Sequence, residues 1–394
     1  MNRFRCLILG VCLLFEACAS ISNGIIYLTD RIIGGEDNSE PPQALLDIEP
    51  EINIQILWEE DIGVGYGGQS VKLVPAVADG IVVAAGRNGV VQARDVATGD
   101  LIWEVETELP ISGGPGLGED TVYVGTSNAE VVALSLNDGS SRWTANVSSE
   151  VLSVPKVEQG IVIISPIDGT IVALDENTGE PQWSYVRTSP VLTLRGTSAP
   201  AIYDGLVIKG YDSGKIVALN LTTGKHEWET VVGVPHGRSE LERLVDIDAD
   251  LLAVDGVVYA ASYQGGISTV SSYGGELLWQ KEEISSHAGM ALDWRYVYVT
   301  DEQSDIWQLE QRNGSALWKQ SDLHQRQVSA PAVYKDYIVV GDFDGYVHWL
   351  AQEDGRQLGR KRICCAAIEA APVVVDDILY VYSKEGTLAA MTVE

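Results

Sequence analysis

Tryptophan recurs along this chain at positions 58, 103, 143, 183, 228, 279 and 318, mostly 40 to 45 residues apart. A version of one hairpin runs ahead of each tryptophan after the first. The cleanest copy is Asp168-Gly-Thr-Ile-Val-Ala-Leu-Asp175, followed by Asn177-Thr-Gly179 and Trp183. Its apolar run has the composition of a strand covered on both faces. Asn-Thr-Gly is turn chemistry, with the glycine free to take φ > 0. One such hairpin is not stable alone, so the recurrence itself must supply the fold.

Other copies are Gly89 to Asp95 with Thr98-Gly99, Glu130 to Leu134 with Asp138-Gly139, and Gly214 to Asn220 with Thr223-Gly224. Later ones start at Gly266, Asp305, Gly345 and Gly386. A second hairpin precedes each copy, starting near a Pro or Ala such as Pro75, Pro115 or Pro200. It turns at pairs such as Asp79-Gly80, Asp204-Gly205 and Asp255-Gly256. Four strands at this period predict a β-propeller. The count of hairpins gives eight blades of four strands, an all-β fold spanning residues 51–394. The last copy, Gly386 to Val393, lacks its tryptophan strand, and Ile52 to Trp58 lacks its hairpin. The N-terminal strand is therefore predicted to complete the eighth blade and close the ring, leaving no open edge there. Leu358 is read as the occupant of the eighth tryptophan position.

The N-terminus reads as a targeting segment. Arg3 and Arg5 precede the apolar run Cys6 to Phe15, which is too short to span a membrane. Phe15-Glu16-Ala17-Cys18 resembles a bacterial lipobox. Residues 1–17 are thus expected as a lipoprotein signal peptide, Cys18 as the lipidated residue, and 18–50 as a flexible tether. Multiple acyl chains would anchor firmly, where one alone is marginal. Neither Ala19 nor Ser20 is the Asp that marks inner-membrane retention, so the outer membrane, facing the periplasm, is the expected location.

A net charge of -30 excludes nucleic acid as a partner, because phosphate binding needs a basic face. Past the signal and Cys18 only the adjacent Cys364 and Cys365 remain, which is no disulfide framework. Asp246, Asp248 and Asp250 alternate, but Leu251-Leu252 follows where a Ca²⁺ loop needs its glycine. The five histidines do not pair at ligand spacing, and no Gly-x-Ser-x-Gly, phosphate loop or His-Glu-x-x-His occurs. No catalytic residue, cofactor or metal is expected.

Two segments break the repeat. Ser189 to Pro200 places Leu192, Leu194 and Arg195 in a connection between blades. Gly237 to Asp248 lengthens its repeat, so that Trp228 and Trp279 stand 51 residues apart. Long connections of this kind carry binding residues, and arginine beside exposed leucine is interface composition.

The Ala-Leu-Asp, Thr-Gly and Trp repeat is similar to that of the PQQ-like propellers, which include quinoprotein dehydrogenases. A quinoprotein enzyme or a generic ligand-binding propeller are the alternative readings. With the lipobox, the acidic tether and the two atypical segments, the chain more closely resembles the BamB family, lipoproteins of the outer-membrane β-barrel assembly machinery. That resemblance implies a non-enzymatic scaffold that binds the periplasmic part of BamA, and through it the other lipoproteins of the machinery. It would aid delivery and insertion of unfolded β-barrel precursors. Leu192, Leu194, Arg195, Arg243, Asp246 and Asp248 are the contact residues it implies.

Overall fold

The Asp-x-x-Thr-Gly turns close as their chemistry requires. Asp95 Oδ1 accepts the backbone N–H groups of Ala97 and Thr98, both at 2.9 Å. Asp175 repeats the arrangement with Asn177 and Thr178 at 3.0 Å. Gly99 and Gly179 follow with φ of 76° and 71°. Each turn joins the third and fourth strands of one blade.

The structure, a computed structural model, describes residues 40–187, 198–235 and 244–394. The chain divides into Met1–Pro41 and Pro42–Glu394, and the account below concerns the second unit. Among the described residues its regular elements are all strands, arranged in eight sheets as an eight-bladed propeller. Blade 1 runs Ala76–Ala78, Ile81–Ala85, Val90–Asp95 and Leu101–Glu106 from the channel outward. Blades 2 to 7 repeat that order. Blade 8 takes Val373–Val375, Ile378–Tyr382 and Thr387–Val393 from the C-terminus and Ile54–Asp61 from the N-terminus. The two ends pair antiparallel from Ile54 with Val393 to Asp61 with Thr387. The ring is therefore closed by the N-terminal strand, as its missing hairpin implied.

The outermost strands explain the tryptophans. In Leu101–Glu106 and Ser141–Asn146 only the tryptophan is buried. Its ring turns sideways onto the next blade and covers the glycine of that blade's turn. A Cβ on Gly99 would stand 2.7 Å from the Trp58 ring, and one on Gly179 2.6 Å from Trp143. The indole N–H then donates to a carbonyl of the same turn. The bonds run Trp58 to Val96, Trp103 to Leu136, Trp143 to Glu176, Trp183 to Leu221, Trp228 to Ser272, Trp279 to Gln311 and Trp318 to Gln352, at 2.7 to 3.0 Å. The turn glycine is thus required twice, for its positive φ and for lack of a Cβ.

The eighth junction differs, and the assignment of Leu358 is corrected. Gly359 pairs with Trp349 as Trp103 pairs with Ala93, so glycine holds the eighth position. Blade 8 has no turn at this corner, because the two chain ends meet there. Glu51 N donates to Leu358 O at 2.8 Å and Glu394 N to Asn53 O at 3.1 Å. Ile52 and Ile54 lie over Gly359, 3.2 and 3.0 Å from where its Cβ would be. The large ring comes instead from Trp349 on the third strand, fully buried. Its indole N–H has no hydrogen-bond partner among the described residues.

Two further segments matter for the site. Gln43 and Leu46, upstream of the boundary expected at residue 51, already contact the ring. Gln43 N donates to His324 O at 2.9 Å, and Arg360 Nη1 to Leu46 O at 2.7 Å. The second segment is the loop after Asp61, which turns into the channel. There Lys72–Leu73 pairs parallel with Gly113 and Gly114 as a fifth strand on the inner side of blade 2.

Candidate partner-binding face

Antiparallel order within each blade puts the links between blades, and the hairpins between second and third strands, on one face of the ring. Both atypical segments are such links. One leads into the inner strand Ala201–Tyr203 of blade 4, the other into Leu252–Val254 of blade 5. Leu192, Leu194, Arg195 and Arg243 lie outside the described residues, as does Cys18. Asp246 and Asp248 are described, and so is the residue pair Ser198-Ala199 that ends the first link.

In Val245 to Asp250 the apolar members face inward. Val245, Ile247 and Ala249 are buried, and Ile247 sits 2.4 Å from where a Cβ of Gly210 would be. Gly210 is what lets this link approach blade 4. Asp246 is buried as well, while Asp248 and Asp250 are partly exposed. The alternation read from sequence is present, but the acids do not share a solvated face.

The structure brings the ends of the two links together. Asp250 Oδ1 accepts the backbone N–H of Ala199 at 2.6 Å and forms an ion pair with Lys72, which reaches it from the fifth strand of blade 2. Lys209, buried on the second strand of blade 4, donates from Nζ to Ser198 O at 2.6 Å and Ser198 Oγ at 3.2 Å. A cavity of ≈ 560 Å³ opens here, with Lys72, Asp248, His287, Asp301 and Glu369 on its walls.

Charge at this mouth is frustrated. Burial pushes the Lys209 ammonium down to about 8, against the pull of Asp212. Burial pushes the Asp248 carboxyl up to about 7, and the charges of Asp246 and Asp212 push the same way. Asp248 Oδ1 is buried with no hydrogen-bond partner among the described residues. Burial also works against ionised Asp250, but Lys72 and the Ala199 N–H outweigh it and hold that carboxyl below its ordinary value.

Asp248 therefore favours the fold most when protonated. Its contribution is full below its ordinary value of 3.8 and is lost as pH rises through about 7. Asp248→Asn is expected to raise the melting temperature, and to raise it more at pH 8 than at pH 5. Thermal melts of both chains at the two pH values check this; an equal shift at both would contradict it.

Reasoning from the sequence missed Lys72, Lys209 and Asp212, and weighed Asp250 only as a metal ligand. Lys209 left a signal: a lysine inside Leu206–Tyr211, a strand otherwise free of charge, needs a partner. Lys72 left none, because its role depends on a loop entering the channel. Among the described residues no group of three or more His, Cys, Asp or Glu could hold a metal. Cys364 is half-buried, Cys365 is exposed, and both are free thiols in the link to blade 8.

Residues 87–320 match the family model described as outer membrane protein assembly factor BamB. The chain is 46% identical over 372 residues to the outer membrane protein assembly factor BamB of Pseudomonas aeruginosa, covering 94% of this chain and 98% of that one. Among solved structures it is similar to BamB from Moraxella catarrhalis, with a TM-score of 0.78 and 28% identity over 86% of this chain and all of that one. Quinohemoprotein alcohol dehydrogenase from Comamonas testosteroni shares the fold alone, with a TM-score of 0.68 at 16% identity over 89% of this chain and 78% of that one.

Proposed function

The chain belongs to the family of outer membrane protein assembly factor BamB, and on that premise we propose that it is a lipid-anchored, non-enzymatic scaffold of the outer-membrane assembly complex. Cys18 carries the lipid, and the propeller faces the periplasm at the outer membrane. The ring docks on the periplasmic part of BamA, and through it joins the other lipoproteins of the machinery. By holding its face beside the barrel subunit it aids delivery and insertion of β-barrel precursors. One observation carries this reading: the ends of the two atypical links, Ser198-Ala199 and Asp246 to Asp250, are tied together at one channel mouth. Leu192 and Leu194 are the apolar anchors of the docking face, and Arg195 pairs with a carboxylate of the partner. Arg243 and Asp248 supply the remaining polar contacts, and Asp246, itself buried, supports that link from within. Asp248, with a buried and unpaired oxygen, is suited to a basic side chain or a backbone N–H of the partner.

Leu192→Glu and Arg195→Glu are each expected to weaken binding to the periplasmic part of BamA by about 100-fold or more, the scale of a central hot spot. Co-purification from envelope extract should fail while the melting temperature stays unchanged. Persistence of the complex in both variants would remove these residues from the site.

A further inference from the structure

We propose that Lys72 and Asp250 are positioning residues of the docking face, linking the two partner-binding connections to a strand inside the channel. This rests on the docking reading above. The contacts form a continuous chain. Lys72–Leu73 is fixed to blade 2 by pairing with Gly113 and Gly114 and by Val74 N donating to Gly114 O at 3.2 Å. From there the Lys72 ammonium reaches Asp250, at the entry to blade 5. The same oxygen of Asp250 receives the N–H of Ala199, at the entry to blade 4. Next to it, Ser198 holds the ammonium of Lys209.

The geometry makes Asp250 a shared acceptor. Ala199 is 1% exposed, so its N–H has no access to water and depends on that carboxylate. Without Lys72, Asp250 loses the nearest positive charge in a cluster that also holds Asp212, Asp246 and Asp248. Repulsion would then turn it toward solvent and release Ala199. The blades themselves do not depend on this chain of contacts, since their sheets and tryptophan wedges lie elsewhere. The loss would appear at the docking face and not in the fold.

The test uses the whole chain from Gln43 onward and titrates it against the periplasmic part of BamA by calorimetry. Lys72→Met is expected to weaken binding about 10-fold, the scale of one close charge pair, with the melting temperature unchanged. Lys72→Arg restores the pair and should bind as the parent does. Asp250→Ala removes both the acceptor of the Ala199 N–H and the partner of Lys72, and should match Lys72→Met. Combining Lys72→Met with Asp250→Ala should cost no more than either alone, which a purely additive structural effect would not reproduce. If Asp250→Ala binds as the parent while Leu192→Glu does not bind, the positioning role is overturned and the docking face stands. If Leu192→Glu and Arg195→Glu also bind as the parent, the docking face itself is wrong.

Discussion

Trp228→Ala is expected to lower the free energy of unfolding by about 3–5 kcal/mol, the range for a large buried ring replaced by a methyl. The ring packs with Ile208, Ile216 and Val270, bridging blades 4 and 5. Its indole donates to Ser272 O at 2.8 Å, and it covers Gly275, whose Cβ would stand 2.6 Å from it. Removing it opens a cavity at a junction between two rigid sheets, which cannot close by local collapse. Conservative changes separate packing from hydrogen bonding. Trp228→Phe keeps most of the volume but strands a carbonyl, at a cost of about 1–3 kcal/mol. Trp349→Phe removes an indole that has no partner and should cost less. Urea denaturation of the three variants reads these differences. Equal losses for the two Phe variants would sink the account of the wedge as a hydrogen-bonded unit.

A chain that begins at Ile62 is expected not to remain a folded monomer. It lacks Ile54–Asp61 and so leaves the backbone of Thr387–Val393 unpaired along the edge of blade 8. It also uncovers Leu388 and Ala390, which the Trp58 strand helps to bury. An unpaired, apolar edge is a template for joining other chains. Size-exclusion chromatography should show oligomers or aggregate, where the chain from Gln43 runs as a monomer. A peptide spanning residues 50–61, added in trans, should restore the monomer by filling the missing strand. A monomeric truncated chain with the parent melting temperature would show that the seam is dispensable.

The architecture was legible because each blade repeats the same solution to the same local problem. The Asp-x-x-Thr-Gly turn, the apolar third strand and the single tryptophan of the fourth are all short-range patterns. Ring closure was legible for a related reason: a missing strand at one end matched a surplus strand at the other. The eighth junction was misread by one residue, because spacing from Trp318 pointed to Leu358. The register is set by the meeting of the chain ends, which no spacing reports. At the channel mouth, the sequence marked the irregular links but not what ties them together. Lys72 is more than a hundred residues from Asp250 (178 apart), and only the channel brings them into contact. Lys209 was visible as an anomaly in an apolar strand, yet the shorter of its two bonds to Ser198 goes to a backbone carbonyl, which leaves no trace in residue type.

The shared eighth blade has a consequence in time. Asn53 and Glu394 are neighbours in the finished ring but stand 341 residues apart in the chain. Joining ends so far apart costs about 5 kcal/mol of chain entropy, from the logarithmic dependence on loop length. Contacts this remote also form slowly. During synthesis Ile54–Asp61 is made well before its partner Thr387–Val393. The first seven blades can assemble from local hairpins as they emerge, but the circle stays open until Thr387–Val393 is free to pair. Closure thus waits on Thr387–Val393, and a chain cut short in that strand would retain an exposed edge on blade 8.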